Sequence, residues 1–233
     1  MKTYGQFCPV AKAAELFCER WTPLIIRDLA GGASRYTELR KGVPLMSPAL
    51  LSRRLKQLEA EGVVERRRSA SGRYWTYHLT PAGLEFVPMI AALGSWGQRW
   101  SRRELADYEI DVGLLLWSME QSVAPAAFGP QRNVVRLELP DQPVSKRHWW
   151  FVNDSSECEL CLKDPGFEID LFLRVTLKDM TYIWRGDLAL PRALEKGRLE
   201  AHGPMRARRA LRAWLNLKPV TRIASQRSDA PVF

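Results

Sequence analysis

Long apolar runs, cysteine, histidine and the usual catalytic signatures are all scarce in this chain of 233 residues. No stretch approaches the roughly 20 apolar residues that a bilayer span requires. The N-terminus also lacks the charged-then-apolar order of a secretory leader. No membrane partner is therefore expected, and a cytoplasmic location is the default expectation. Four cysteines are too few to form a disulfide framework in a chain this long, so reduced thiols are expected. Two of them form the C-x-x-C of Cys158-Glu159-Leu160-Cys161. No second pair and no spaced histidine pair accompanies it to complete a zinc set. If that segment is a strand, residues three apart point to opposite sides, which also opposes a shared metal or an easy disulfide. His78, His148 and His202 are scattered, without a carboxylate pattern that suggests catalysis. A phosphate-binding glycine loop, a G-x-S-x-G elbow and an H-E-x-x-H helix are all missing. Neither a cofactor, a metal nor an enzymatic activity is expected.

What is present is positive charge, placed unevenly. The chain carries 35 Lys and Arg against 26 Asp and Glu, a net charge of +9. Residues 1–104 hold 17 basic against 9 acidic side chains, or +8, and the remainder holds 18 against 17, or +1. The first half is thus the half that suits a polyanion. At 46% hydrophobic and 26% charged, the composition is that of a globular protein with room for two ordinary domains.

The first half is organised around Ser47–Glu61. Ser47 is suited to cap a helix, because its hydroxyl can accept from an orphan amide of the first turn. Pro48 fits the first helical position, where no donor is needed, and Gly62 supplies the stop. Leu51, Leu55 and Leu58 recur at i, i+4 and i+7 and define one apolar stripe. Ala49, Arg53, Lys56 and Ala60 point the opposite way, with Ser52 and Gln57 on the shoulders. That outer face carries two cations, small residues near its start and no acid. It suits a helix lying in a DNA major groove, where Arg53 can reach a base edge or phosphate and Lys56 can neutralise a phosphate. An ordinary amphipathic helix with a solvated basic side would read the same way in isolation.

The next segment narrows the choice. Val63–Arg68 and Arg73–Leu79 are β-prone runs separated by Ser69-Ala70-Ser71-Gly72, a hairpin signal. Its arms and tip carry Arg66, Arg67, Arg68 and Arg73. A cationic hairpin directly after such a helix is the layout of a winged helix–turn–helix, with the wing along the backbone or in the minor groove. Residues 8–100 resemble an HxlR-type regulator within the wider MarR-like group. The resemblance rests on Cys8-Pro9-Val10, Trp21-Thr22-Pro23-Leu24-Ile25-Ile26-Arg27-Asp28-Leu29, Tyr36-Thr37-Glu38-Leu39 and Met46-Ser47-Pro48. It continues through Leu55-Lys56-Gln57-Leu58-Glu59-Ala60-Glu61-Gly62-Val63-Val64 and Tyr77-His78-Leu79-Thr80-Pro81-Ala82-Gly83. It implies double-stranded DNA as partner and places Arg35 and Tyr36 near the phosphate backbone, although Tyr36 serves equally well as packing. It also implies that Cys8 can sense oxidants or electrophiles. A helix N-terminus can lower a thiol pKa, against the alternative of an inert thiol; Cys18, further along that helix, is expected to be buried.

Helices are expected over 9–20, over 22–30 with Thr22 as its cap, over 35–41, and from Thr80 to about Arg103 with a kink or break at Pro88. Phe86, Met89, Ile90, Leu93, Trp96 and Trp100 form a broad apolar seam on the last of these. The resemblance implies that such flanking helices build a homodimer, which would present two reading helices to a palindromic site. Burial against the second half of the chain is the rival explanation.

That second half alternates β-prone and helical segments. Strands are expected over Val134–Leu139, His148–Val152, Cys158–Leu162, Ile169–Arg174 and Arg198–Ala201. Helices are expected over Val112–Met119, Asp179–Arg185, Leu188–Lys196 and Met205–Leu217. From about residue 168, the run Ala193-Leu194-Glu195-Lys196-Gly197-Arg198-Leu199-Glu200-Ala201-His202-Gly203 resembles the C-terminal part of sterol-carrier-protein-like domains. The resemblance implies an apolar pocket for a lipophilic effector, with Trp117, Trp149, Trp150, Phe172, Trp184 and Trp214 available to line it. Most aromatic residues in a domain of this size simply fill its core, and that is the alternative for each of these.

The expected architecture is α+β: a winged helix–turn–helix domain over residues 1–104, then an α+β sterol-carrier-like domain over 105–233. The DNA-facing set is Arg35, Tyr36, Ser47, Ala49, Ser52, Arg53, Lys56, Arg66, Arg68 and Arg73. The competing class is a hydrophobic-ligand carrier whose winged part serves only interaction or dimerisation.

Overall fold

The computed structural model describes residues 3–227. The chain divides into two compact units, Met1–Gly94 and Ser95–Phe233. The division falls ten residues before the expected 104/105 boundary and lies inside a continuous helix.

In the first unit, α1 (Pro9–Phe17), α2 (Thr22–Ala30), α3 (Tyr36–Gly42) and α4 (Pro48–Ala60) precede a hairpin of β1 (Val64–Arg68) and β2 (Trp75–Leu79). The core is aliphatic: Ile25, Ile26, Leu39, Leu51, Leu55, Leu58, Val63 and Val64 are buried. Two expectations here are corrected. The residue preceding α2 in capping position is Trp21, held in the left-handed region at φ 79°, while Thr22 is already helical and buried. The sequence there reads as a threonine cap because Thr before Pro usually is one. Cys18 is exposed rather than buried, because α1 ends at Phe17 and Cys18 caps it.

The helix expected from Thr80 is two helices. Thr80 Oγ1 accepts from Gly83 N at 3.2 Å to start α5 (Pro81–Glu85). The chain then restarts as α6 (Val87–Trp100), with Pro88 in its first turn, where its missing N–H costs nothing. Gly83 is obligatory for packing: a Cβ there would lie 2.2 Å from the carbonyl oxygen of Val63. Phe86, between the two helices, stacks on Phe17 at 5.0 Å.

The second unit contains α7 (Val112–Glu120), β3 (Asn133–Glu138), β4 (His148–Asp154), β5 (Glu157–Cys161), β6 (Leu171–Val175), α8 (Leu177–Arg185), α9 (Leu190–Glu195), β7 (Leu199–His202) and α10 (Met205–Leu215). Its five strands form one sheet in the order β5-β4-β3-β6-β7. Every neighbouring pair is antiparallel except β3–β6, which is parallel. The strand period of two sorts side chains between the faces. Val135, Leu137, Trp149, Phe151, Leu171 and Leu173 enter one continuous core with Leu116, Met119, Met180, Ile183, Leu211 and Trp214 from the helices. Val134, Trp150 and Val152 form a small separate cluster with Cys161. Cys158 packs on the main core and Cys161 on the small cluster, so the C-x-x-C thiols are on opposite sides of the sheet.

The molecule is thus a mixed α/β protein with a winged helix–turn–helix first unit. No helix among the described residues is long and apolar enough to cross a membrane.

Candidate nucleic-acid interface

The interface is built on α4. Ser47 Oγ accepts from Leu50 N at 3.3 Å, and Pro48 occupies the first turn. Leu51, Leu55 and Leu58 are at most 1% exposed, which fixes the rotation of the helix on the core. The helical period then leaves Ala49, Ser52, Arg53 and Lys56 exposed. A second device anchors the helix. Arg54, beside Arg53 in sequence, turns inward: it is buried and donates to Glu19 Oε2 at 2.8 Å and to Gln57 Oε1 at 2.5 Å. Two adjacent arginines on one helix therefore have opposite fates.

The first helix of the helix–turn–helix is tied to this one by Tyr36. Its hydroxyl donates to the carbonyl of Pro48 at 2.9 Å and accepts from Ser52 Oγ at 3.4 Å. Tyr36 thus holds the N-terminal turn of α4 in place. At the start of α3, Glu38 Oε2 accepts from the amides of Ser34 and Arg35, at 2.8 and 2.9 Å. That carboxylate satisfies orphan donors of the first turn and sits at the positive end of the helix.

The wing is organised by its aromatics. The register places Arg68 opposite Trp75, Arg67 opposite Thr76 and Arg66 opposite Tyr77. Arg66 and Arg68 share one face, and both guanidinium groups lie on the Trp75 ring, at 4.3 and 4.4 Å from its centroid. Arg66 also approaches Glu59 of α4 at 3.8 Å, and Arg68 donates to the Gly72 carbonyl at 3.0 Å. Arg35 stacks on Tyr74 at 4.4 Å and donates to its hydroxyl at 2.7 Å. Segment and wing are joined further by Tyr77 N donating to Ser34 O at 2.7 Å. Arg35, Tyr36, Thr37, Tyr74, Trp75 and Tyr77 together line a small cleft of about 380 Å³. Arg73 is exposed at the tip of the hairpin.

Of the residues expected to meet DNA, Ser47, Ala49, Ser52, Arg53, Lys56, Arg35, Arg66, Arg68 and Arg73 are all exposed, and Tyr36 is half-buried. Sequence reasoning missed Tyr74 and Trp75 as the partners of these cations. Counting outward from the expected turn at Ser69–Gly72 pairs Arg68 with Arg73; the six residues that actually join the strands shift the partner of Arg68 to Trp75. Cys8 stands before α1, half-buried, with its backbone carbonyl accepting from Lys12 N at 3.1 Å and its side chain making no capping bond.

The six aromatics offered for an effector pocket are not gathered in one place. Trp214 is fully buried, edge-on to Phe151 at 5.4 Å, with Nε1 donating to Asn153 Oδ1 at 2.7 Å. Trp149 enters the same core and donates to the Lys146 carbonyl at 2.7 Å. Trp117 is buried and Trp184 packs partly against the core. Trp150 and Phe172 lie on the other face of the sheet, either side of Arg136, whose guanidinium is 5.8 and 5.4 Å from their rings. Among the described residues, no group of three or more His, Cys, Asp or Glu side chains could hold a metal ion.

An acid-free helix face in helix–turn–helix geometry, beside a cationic wing, defines the class of DNA-binding regulators. Residues 16–105 match the model of the HxlR-like helix-turn-helix family. The chain belongs to that family. It is 34% identical over 98 residues to the HTH-type transcriptional regulator YvaP of Bacillus subtilis, covering 41% of this chain and 91% of that one. It is 30% identical over 111 residues to an HTH-type transcriptional regulator of a Synechocystis species, covering 47% and 82%. Among solved structures, the reduced form of the transcriptional regulator YodB from B. subtilis is 30% identical, with 40% of this chain and 93% of that one covered and a TM-score of 0.36.

Proposed function

We propose that this protein is a homodimeric, sequence-specific transcriptional regulator that reads a palindromic operator with α4 of each subunit. The observation that carries the reading is the exposed, acid-free face of α4, locked in rotation by its leucine stripe and by Arg54. Arg53 is the base-reading candidate; Ala49 and Ser52 permit close approach, and Lys56 neutralises a phosphate. The amides near Ser47 assist with a second phosphate. Arg66, Arg68 and Arg73 follow the backbone or enter the minor groove, and Arg35 supports them from the start of α3.

The homodimer is supported by α6, on which Met89, Leu93, Trp96 and Trp100 are 45–57% exposed. Large apolar groups in a row on one helix are costly to leave in water. A two-fold partner would cover them and set two reading helices about one DNA turn apart.

The second unit acts in this reading as a sterol-carrier-like effector domain. Its single sheet with helices on the core side fits that assignment, as do its tight glycines. A Cβ on Gly203 would lie 2.5 Å from the Asp170 carbonyl oxygen. Cys8 is the candidate for redox or electrophile sensing.

The decisive experiment is footprinting of the full chain on the DNA flanking its own gene, with and without extracted cellular lipids and across a salt series. Protection of two half-sites, weakening steeply with salt, is the expected result. Salt-insensitive behaviour with uptake of acyl chains and no footprint would establish a ligand carrier instead.

A further inference from the structure

The second unit contains a cleft of about 730 Å³, in the range typical of small-molecule sites. Ile183, Leu188, Leu190, Pro191, Leu217 and Ile223 supply the apolar part of its wall. No aromatic and no acidic residue lines it, whereas four arginines do: Arg102, Arg209, Arg212 and Arg222.

The charge in the wall is unbalanced. Arg102 is only 8% exposed, and its Nε donates to one carboxylate oxygen of Asp187. Arg185 Nε donates to the other oxygen of the same carboxylate, which is itself almost fully buried. Each guanidinium also donates to one backbone carbonyl: Arg102 Nη1 to Ile223 at 3.0 Å and Arg185 Nη2 to Arg103 at 2.8 Å. One buried carboxylate thus serves two guanidinium groups, of which Arg102 is buried in the cleft wall and Arg185, outside the lining, is 24% exposed. Arg209, Arg212 and Arg222 are exposed, and none makes an ion pair or side-chain hydrogen bond with another described residue. They add three more positive charges to the same lining.

We propose that this cleft binds an aliphatic anion, a carboxylate or phosphate head on a hydrocarbon body, with the head held by Arg209, Arg212 and Arg222 and the body against Leu188, Leu190, Leu217 and Ile223. Arg102, held by Asp187, contributes a fixed guanidinium to the same wall. The inference rests on the effector reading above for its regulatory meaning only; the binding itself stands on the cleft. The site is distinct from the six aromatic residues, none of which lines it.

The test is calorimetric titration of the full chain with octanoate, octyl phosphate, octanol and inorganic phosphate. At least one of the two aliphatic anions should bind at least tenfold more tightly than octanol and than inorganic phosphate, and the tighter of the two identifies the head. The double variant R209Q/R212Q should weaken that binding at least tenfold. Ala213→Glu, at an exposed helical position in the cleft lining, should abolish it, with unfolding temperatures confirming that both variants fold. Octanol binding as tightly as the anions, inorganic phosphate binding as tightly as octyl phosphate, no binding of either anion, or indifference to Ala213→Glu would each overturn the proposal. Loss of operator binding with retained anion binding would instead count against the regulator reading and leave this site standing.

Discussion

Arg68 lies over the indole ring of Trp75, 4.4 Å from its centroid and directly opposite it across the hairpin. With Arg66 on the same ring at 4.3 Å, the wing presents two cations held in place before any DNA arrives. A flexible arginine loses side-chain entropy on binding, and stacking removes part of that cost in advance. Trp75→Leu is therefore expected to weaken duplex binding by about two- to fivefold, in line with roughly 0.5–1 kcal/mol for an exposed cation–π contact. The slope of affinity against salt should stay the same, because no phosphate-neutralising charge is lost. Trp75→Phe should recover part of the loss. A flattened salt slope in Trp75→Leu would refute the positioning role.

Arg53 and Lys56 share a face but are expected to behave differently. Arg53→Ala should cost about 1–3 kcal/mol on the operator and relax preference at one base position. Lys56→Ala should weaken operator and random duplex equally and lower the salt slope by about one. Competition binding against a panel of single-base operator variants separates the two. Equal loss on every sequence for Arg53→Ala would move that residue to the phosphate class.

The inward arginine predicts a stability effect. Glu19→Ala leaves the Arg54 guanidinium buried with only Gln57 as partner. Glu19 is itself about one-third exposed, which reduces the expected loss to about 1–3 kcal/mol in urea unfolding. DNA binding measured well below the unfolding midpoint should change little. An unchanged midpoint would mean that the leucine stripe alone orients α4.

Thiol reactivity should divide along burial. Burial pushes the Cys158 thiol up to about 12, with the Glu120 carboxylate and Cys161 adding to it. The thiolate is the reactive form, so Cys158 should resist alkylation at about pH 8 and react only as the pH climbs well past the ordinary thiol range near 8.5. Exposed Cys18 should be modified first. Peptide mapping after timed iodoacetamide treatment of the native chain, with a denatured control, checks the order. Prompt labelling of Cys158 in the native protein would contradict its placement against the core.

Charge placed on α6 should separate subunits. Leu93→Glu with Trp96→Glu puts two carboxylates on a face that is already half-exposed in one chain, so the fold should persist. Sedimentation should show a monomer, and operator affinity should fall by more than tenfold as two-site engagement is lost. A dimer of undiminished affinity would place the two-fold contact elsewhere.

Local signals in the chain were enough to determine the class of the first unit. The cap at Ser47, the leucine period and the glycine at the hairpin turn are each written in neighbouring residues, and they fixed which face of α4 meets solvent. The same kind of signal placed all five strands of the second unit to within a few residues. What adjacency does not contain is partnership. Arg53 and Arg54 are the same residue type on one helix, and only the arrival of Glu19, 35 residues away, makes one of them structural. Trp21, in the left-handed region, holds the capping position expected of Thr22, and the six aromatics offered for a pocket disperse over both faces of a sheet whose order no strand records. The arginine cleft was invisible for the same reason. Its lining comes from segments between Arg102 and Ala224, and its positive charge exists only because the fold brings Arg102 together with Arg209, Arg212 and Arg222 and no acidic residue among them.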